Sequence, residues 1–260
     1  MRNFTLTVAG VSAAVTCQFD TTPAFCGPYL CTSTPAFSAT LTPADIALER
    51  EKSAREDALE GLPPREYSDA YLETIALQRK LAEAFFDHDI LLFHGSVVAV
   101  DGEAYLFTAK SGTGKSTHTR LWREMLGERA VMVNDDKPFL EIRDGGIIVH
   151  GSPWNGKHGL GINLSVPLKA ICILERGEEN HIRSLTAQQA LPMLVQQSNR
   201  PQDPVKMPKY LELLDKLAKN VKFYNLKCNM DMEAAKVAYE ALRKAVPQGE
   251  DGAANSETEW

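Results

Sequence analysis

Residues 107–122 read F-T-A-K-S-G-T-G-K-S-T-H-T-R-L-W. Within them, 109–116 (A-K-S-G-T-G-K-S) fit the phosphate-loop pattern G-x-x-x-x-G-K-[ST] at every position but the first. Gly112 and Gly114 let the backbone curl and turn successive N–H groups inward. The helix that follows adds the equivalent of about half a positive charge at its N-terminus. Lys115 brings a full charge to the β- and γ-phosphates, and the Ser116 hydroxyl is suited to Mg²⁺. Ser111, Thr113 and Thr117 complete the run expected to touch nucleotide. Ala109 stands where glycine is usual. It would cost roughly 1–2 kcal/mol if that position were left-handed, and little if it were extended.

The flanks support strand, loop and helix in that order. L-L-F-H-G-S-V-V-A-V (91–100) reads as one buried strand. Asp101-Gly102 is a hairpin turn, and residues 103–108 pair back. A helix is expected over about 115–126. A-V-M-V-N (130–134) is a short apolar strand that stops at Asp135-Asp136, twenty positions past Lys115. One carboxylate of such a pair can hold Mg²⁺, directly or through water, and the other can take a proton from an attacking hydroxyl. Further on come a hairpin (138–152), a buried strand (168–175), helices near 187–198 and 208–220, a strand (221–226) and a helix near 232–245. Strands interleaved with helices argue an α/β core, and the hairpins make its sheet mixed.

Residues 1–90 show no catalytic motif. A short hairpin is expected around Gly10 and a strand near 37–41. Charged surface loop with some helix should cover 43–66, and Ser68 should cap an amphipathic helix running to about His88. This region reads as a β/α appendage, a lid or recognition element. Residues 91–246 form the core, and 247–260 a disordered acidic tail.

Composition bounds the rest. The net charge is −6, with no basic run, so no nucleic-acid footprint appears. Five cysteines without CxxC spacing suggest neither a disulfide framework nor a zinc site, and point to a reducing, cytoplasmic setting. The N-terminal apolar run is broken by threonine and serine, and no stretch is apolar and long enough to span a membrane.

Residues 94–136 resemble the catalytic core of HPr kinase/phosphorylase and its smaller relatives, in which a His-Gly strand, a hairpin, an SGxGKS loop and a strand ending in paired aspartates follow in this order. The loop is also similar to that of ATP-dependent phosphoenolpyruvate carboxykinase, which shares the fold. The resemblance implies a mixed-sheet phosphate-loop kinase using ATP and Mg²⁺. In it Lys115 neutralises the transferred phosphate, Ser116 and Asp135 serve the metal, Asp136 activates the acceptor hydroxyl, and His94 lies near the γ-phosphate. HPr kinases assemble as hexamers, so a homo-oligomer is compatible.

Two departures stand out. The family's metal-binding glutamate has no counterpart in Lys157–Ile162, and its later arginine for phosphorolysis has no clear match. A plain kinase is therefore favoured over a two-way enzyme. In G-S-P-W-N-G-K (151–157), Lys157 could reach the phosphates, and Trp154 could line a pocket or simply pack. His118 could face the site, whereas Arg120 reads as a helix-surface charge. The expected function is transfer of the γ-phosphate to a hydroxyl, on a serine of a protein or peptide by resemblance. The alternatives are a small-molecule kinase, a carboxykinase-type enzyme, for which the chain is short, and a non-catalytic nucleotide-binding regulator.

Overall fold

Alternating burial lays down the first hairpin. Leu6 and Val8 of β1 (Arg2–Val8) face inward with Ala13, Val15 and Cys17 of β2 (Val11–Cys17), as a period of two requires. The structure, a computed structural model, describes residues 1–59, 61, 63 and 65–245. The expected acidic tail lies outside the described residues. Contacts divide the chain into two units, Met1–His88 and a second beginning at Asp89.

In the first unit, helix α1 (Thr21–Cys26) precedes β3 (Phe37–Thr40), which adds to β2 in parallel. Two helices follow, α2 (Pro43–Leu59) and α3 (Asp69–Phe85). Ser68 caps α3, its hydroxyl accepting from the Tyr71 N–H at 3.2 Å, and Leu72, Ala76, Leu77 and Leu81 form the buried stripe. The charged segment, expected as surface loop with some helix, is helical over Pro43–Leu59. It lacks a broad apolar face, so periodicity did not reveal it. Its start is fixed by Thr42 and Asp45: the Thr42 N–H donates to Asp45 Oδ2 at 2.9 Å and the Asp45 N–H to Thr42 Oγ1 at 3.3 Å. Arg79 of α3 then pairs with both Asp45 and Glu49 of α2, with Asp45 at 2.9 Å.

In the second unit, the run 91–100 is not one strand. It splits into β4 (Ile90–Leu92) and β5 (Ser96–Val100), which lie in different parts of the sheet. Composition cannot separate them, because both are wholly buried. Residues 93–95 cross between: Phe93 N–H donates to Pro138 O, His94 N–H to Gln197 O and Gly95 N–H to Asp136 O, at 3.0, 2.7 and 3.0 Å. Only glycine fits at 95, since a Cβ there would meet Leu106 Cδ2 at 2.9 Å and Phe107 O at 3.1 Å.

Strand β6 (Glu103–Thr108) pairs back on β5 through the Asp101-Gly102 turn and leads into α4 (Lys115–Leu126) and β7 (Ala130–Asn134). The hairpin β8 (Phe139–Arg143) and β9 (Gly146–His150) follows, then the long β10 (Ser165–Arg176). A short strand, β11 (His181–Leu185), was not expected; only two of its residues are even half-buried, so it carries no hydrophobic signal. Helices α5 (Ala187–Gln197) and α6 (Met207–Asn220), strand β12 (Lys222–Cys228) and helix α7 (Met232–Leu242) complete the unit.

The architecture is α/β with a curled, mixed sheet. β10 is its pivot. Residues 165–167 pair antiparallel with β9, continuing an antiparallel array β4-β8-β9. Farther along, β10 runs parallel to both β6 and β12, with β5 and β7 beyond β6 and β11 beyond β12. Phe107, Trp122, Cys172, Leu226, Ala235 and Ala238 belong to the core that joins α4 and α7 to this sheet.

Candidate phosphate-transfer site

The loop between β6 and α4 answers the question posed by Ala109. Among the described non-glycine residues only Ala9, Asp89 and Asp101 have positive φ, so Ala109 is not left-handed. It is fully buried in the core beneath the loop. Gly112 and Gly114 do take positive φ, 71° and 122°, the conformation that an L side chain resists. No side chain caps the first turn of α4. The loop surface consists of Ser111, Gly112 and Ser116, all exposed, with Thr113, Gly114, Lys115 and Thr117 half-buried. Lys115 folds back over the loop, its Nζ 3.4 Å from Ala109 O. Burial lowers its pKa; Asp136 opposes that shift, Lys137 adds to it, and Asp135 opposes it.

At the end of β7 the Asn134 side chain bends the chain. Its Oδ1 accepts from the N–H groups of Asp136 at 2.9 Å and Lys137 at 2.7 Å, and its Nδ2 donates to Ser152 Oγ at 3.0 Å. The two acids consequently have different surroundings. Asp135 is buried and accepts from Ser96 Oγ at 2.5 Å; Ser96 in turn bonds Thr119 Oγ1 of α4 at 2.9 Å, one turn beyond Ser116. Asp136 is more open, with His94 Nε2 3.3 Å from its Oδ1. Its pKa is raised: burial is the main cause, Lys137 and Lys115 oppose it, and Asp135 adds to it. His94 is pushed down to about 3 by burial, then by Lys137 and Lys115, against a pull from Gln197. The ring is therefore neutral at pH 7, and its 3.3 Å approach to Asp136 is a close polar contact rather than an ion pair.

Lys115, Asp135, Asp136 and His94 are thus gathered around one end of the loop. His94 sits on the crossover between strands, not within a strand as its sequence suggested. Lys157 is solvent-exposed with no partner among the described residues. Its segment is nonetheless tied to this end: Ile162 N–H donates to Val133 O and Lys137 N–H to Trp154 O, each at 3.2 Å. Trp154 is buried. His118 is buried as well, its Nε2 accepting from Trp122 Nε1 at 3.1 Å and its pKa pushed down to about 4 by burial. Arg120 pairs with Glu124 on the helix surface, as expected.

Sequence reasoning missed Ser96, Lys137 and Arg176 as parts of this site. Ser96 carried a signal, lying next to His94-Gly95. Lys137 directly follows the acid pair. Arg176, whose guanidinium donates to Gly112 O, carried none, since it lies 64 residues downstream.

Among the described residues, no group of three His, Cys, Asp or Glu side chains is arranged to hold a metal. Ser116 and Asp135 are hard oxygen donors of the type that would suit Mg²⁺ completed by phosphate and water oxygens, and Ser96 of β5 bonds both Asp135 and Thr119 of the helix that carries Ser116. Among the described residues no helix is long and apolar enough to cross a membrane.

A family model described as SynChlorMet cassette protein ScmC matches residues 68–235. Among solved structures, the HPr(Ser) kinase/phosphatase from Coxiella burnetii is similar at 12% identity and a TM-score of 0.36, over 59% of this chain and 97% of that one. No curated protein matches.

Proposed function

The chain belongs to the ScmC family, and from that footing we propose that it is an ATP- and Mg²⁺-dependent kinase transferring the γ-phosphate to a hydroxyl. The acceptor we favour is a serine of a protein or peptide, on the resemblance of residues 94–136. The observation that carries the reading is the convergence of loop and acids: Lys115 and Asp136 feel each other's charge, and His94 lies 3.3 Å from Asp136.

The division of labour follows from those surroundings. The loop N–H groups and Lys115 bind and orient the phosphates. Asp136, whose carboxyl is raised by burial, is suited to accept the proton of the incoming hydroxyl. Neutral His94 orients Asp136 through the 3.3 Å contact without adding charge. Ser116 and Asp135 would hold Mg²⁺, which when bound neutralises charge on the phosphate oxygens. The five free thiols fit the cytoplasmic setting we assign it.

The test is calorimetry with ATP and magnesium, followed by labelled γ-phosphate transfer to a serine-containing peptide library. Binding lost in Lys115→Ala and transfer lost in Asp136→Asn are the expected results. No heat from any nucleoside triphosphate with magnesium would end the proposal. A second reading, a nucleotide-binding regulator without turnover, is favoured by one feature: residues 155–163 bring no carboxylate to the metal side. It gains if ATP binds and Asp136→Asn alters no activity.

A further inference from the structure

Strand β5 reads S-V-V-A-V, and all five residues are buried. A hydroxyl at the head of such a strand costs free energy unless it is paired. Ser96 is fully buried, and its hydroxyl has two side-chain partners, Asp135 Oδ1 at 2.5 Å and Thr119 Oγ1 at 2.9 Å. A carboxylate can only accept, so the single Ser96 proton goes to Asp135. Ser96 Oγ must then accept from Thr119. That bond is shorter than the 3.3 and 3.4 Å separating Thr119 Oγ1 from Ser116 O and Lys115 O, so it takes the Thr119 proton. The result is a directed chain, Thr119 to Ser96 to Asp135. Each O–H polarises the next, and the last bond is charge-assisted.

The chain engages only one oxygen of the carboxylate. Asp135 is 7% exposed, and its Oδ2 accepts no hydrogen bond among the described residues, yet that atom is not sealed from solvent. Thr119 stands on α4, three residues past Ser116. The helix that carries one oxygen suited to a cation therefore holds, through Ser96, the carboxylate that carries the other.

We propose that Ser96 is a positioning residue for the divalent cation: it fixes Asp135 by Oδ1 and leaves Oδ2 to the metal, with Thr119 fixing Ser96 in turn. The inference rests on the reading of the loop as an ATP- and Mg²⁺-dependent site and deepens it. Without the Ser96 hydroxyl, Asp135 has no side-chain donor among the described residues. Its carboxylate would then be ordered only when the cation binds, at a loss of affinity.

The experiment is calorimetry of ATP on the full chain, once with magnesium and once with EDTA. The ratio of the two dissociation constants is the gain that the cation brings. Ser96→Ala is expected to cut that gain about tenfold or more, and to leave the EDTA value within about twofold of wild type. Thr119→Val keeps the Ser96–Asp135 bond and should cut the gain about threefold. The double variant should match Ser96→Ala, because Thr119 acts through Ser96. A role confined to folding would lower the urea midpoint and leave the gain intact. An unchanged gain in Ser96→Ala, or reductions that multiply in the double variant, would overturn the proposal. Should Ser96→Ala fail to fold, Thr119→Val decides, and an unchanged gain there overturns it. A wild type that binds ATP with no gain from magnesium sinks this inference and spares the nucleotide site. A wild type that binds no ATP sinks the underlying reading, and this inference with it.

Discussion

Two carboxylates, one buried in the first unit and one half-buried in the second, show opposite uses of the same group. Glu73 of α3 is fully buried and surrounded by donors: the Gln18 N–H at 2.6 Å, the Phe19 N–H at 3.2 Å and the Thr22 hydroxyl. Every one of those donors lies on the segment between β2 and the first turn of α1, so this acid pins a loop. Among the described residues, the side chain closest on record to the Asp136 carboxylate is the neutral His94, 3.3 Å away, and the pKa of Asp136 is raised. A carboxylate that already accepts three hydrogen bonds is committed to holding the groups that donate them. One with few donors keeps proton affinity and can act on something else. The difference separates an acid that builds the fold from one fit for chemistry.

The contrast can be broken most directly at Asp136. Asp136→Asn is expected to lower γ-phosphate transfer about a thousandfold while leaving unfolding free energy within about 0.5 kcal/mol of wild type. A large loss of stability with retained transfer would reverse its assignment. Glu73→Ala should do the opposite, destabilising by about 3 kcal/mol, because two N–H groups and a hydroxyl lose their acceptor. Urea unfolding measures this, and calorimetry should find nucleotide affinity unchanged.

Protons sharpen the comparison further. His94 and His118 have folded pKa values of about 3 and about 4, below the unfolded value near 6.5. Between those values the unfolded chain binds more protons. The stability these two rings contribute is therefore fully present above pH 6.5 and is lost as pH falls toward 4. Together they should add up to about two protons to the slope, roughly 2.7 kcal/mol per pH unit, beyond what the also lowered His150 adds. Denaturation at pH 7, 6 and 5 should show one proton fewer in His94→Gln and in His118→Gln; an unchanged slope in both would contradict the buried neutral rings. The smallest effect belongs to Ala109→Gly. Since Ala109 is not left-handed, glycine relieves nothing there and should cost about 0.5–1 kcal/mol through chain entropy. A tenfold gain in nucleotide affinity would show that the loop strains at this position.

Much of the second unit was legible because its signals are local. The loop, the helix it opens and the apolar strand ending in two acids each lie within about a dozen residues. The split of 91–100 was illegible for the opposite reason. Its apolar run is continuous, and what divides it are bonds from Phe93, His94 and Gly95 to Pro138, Gln197 and Asp136. Helix α2 was hidden because ion pairs to Arg79, rather than an apolar stripe, hold it.

Sequence alone determined the residue types at the loop, Lys115 and Ser116 among them, and the adjacency of Asp135 to Asp136, since both are properties of consecutive residues. Tertiary structure decided which acid is which. Ser96 reaches Asp135 and His94 reaches Asp136 only because residues 93–95 cross between strands beside the end of β7. Burial and neighbouring charge are properties of that assembly, and they, more than residue type, distinguish the two carboxylates.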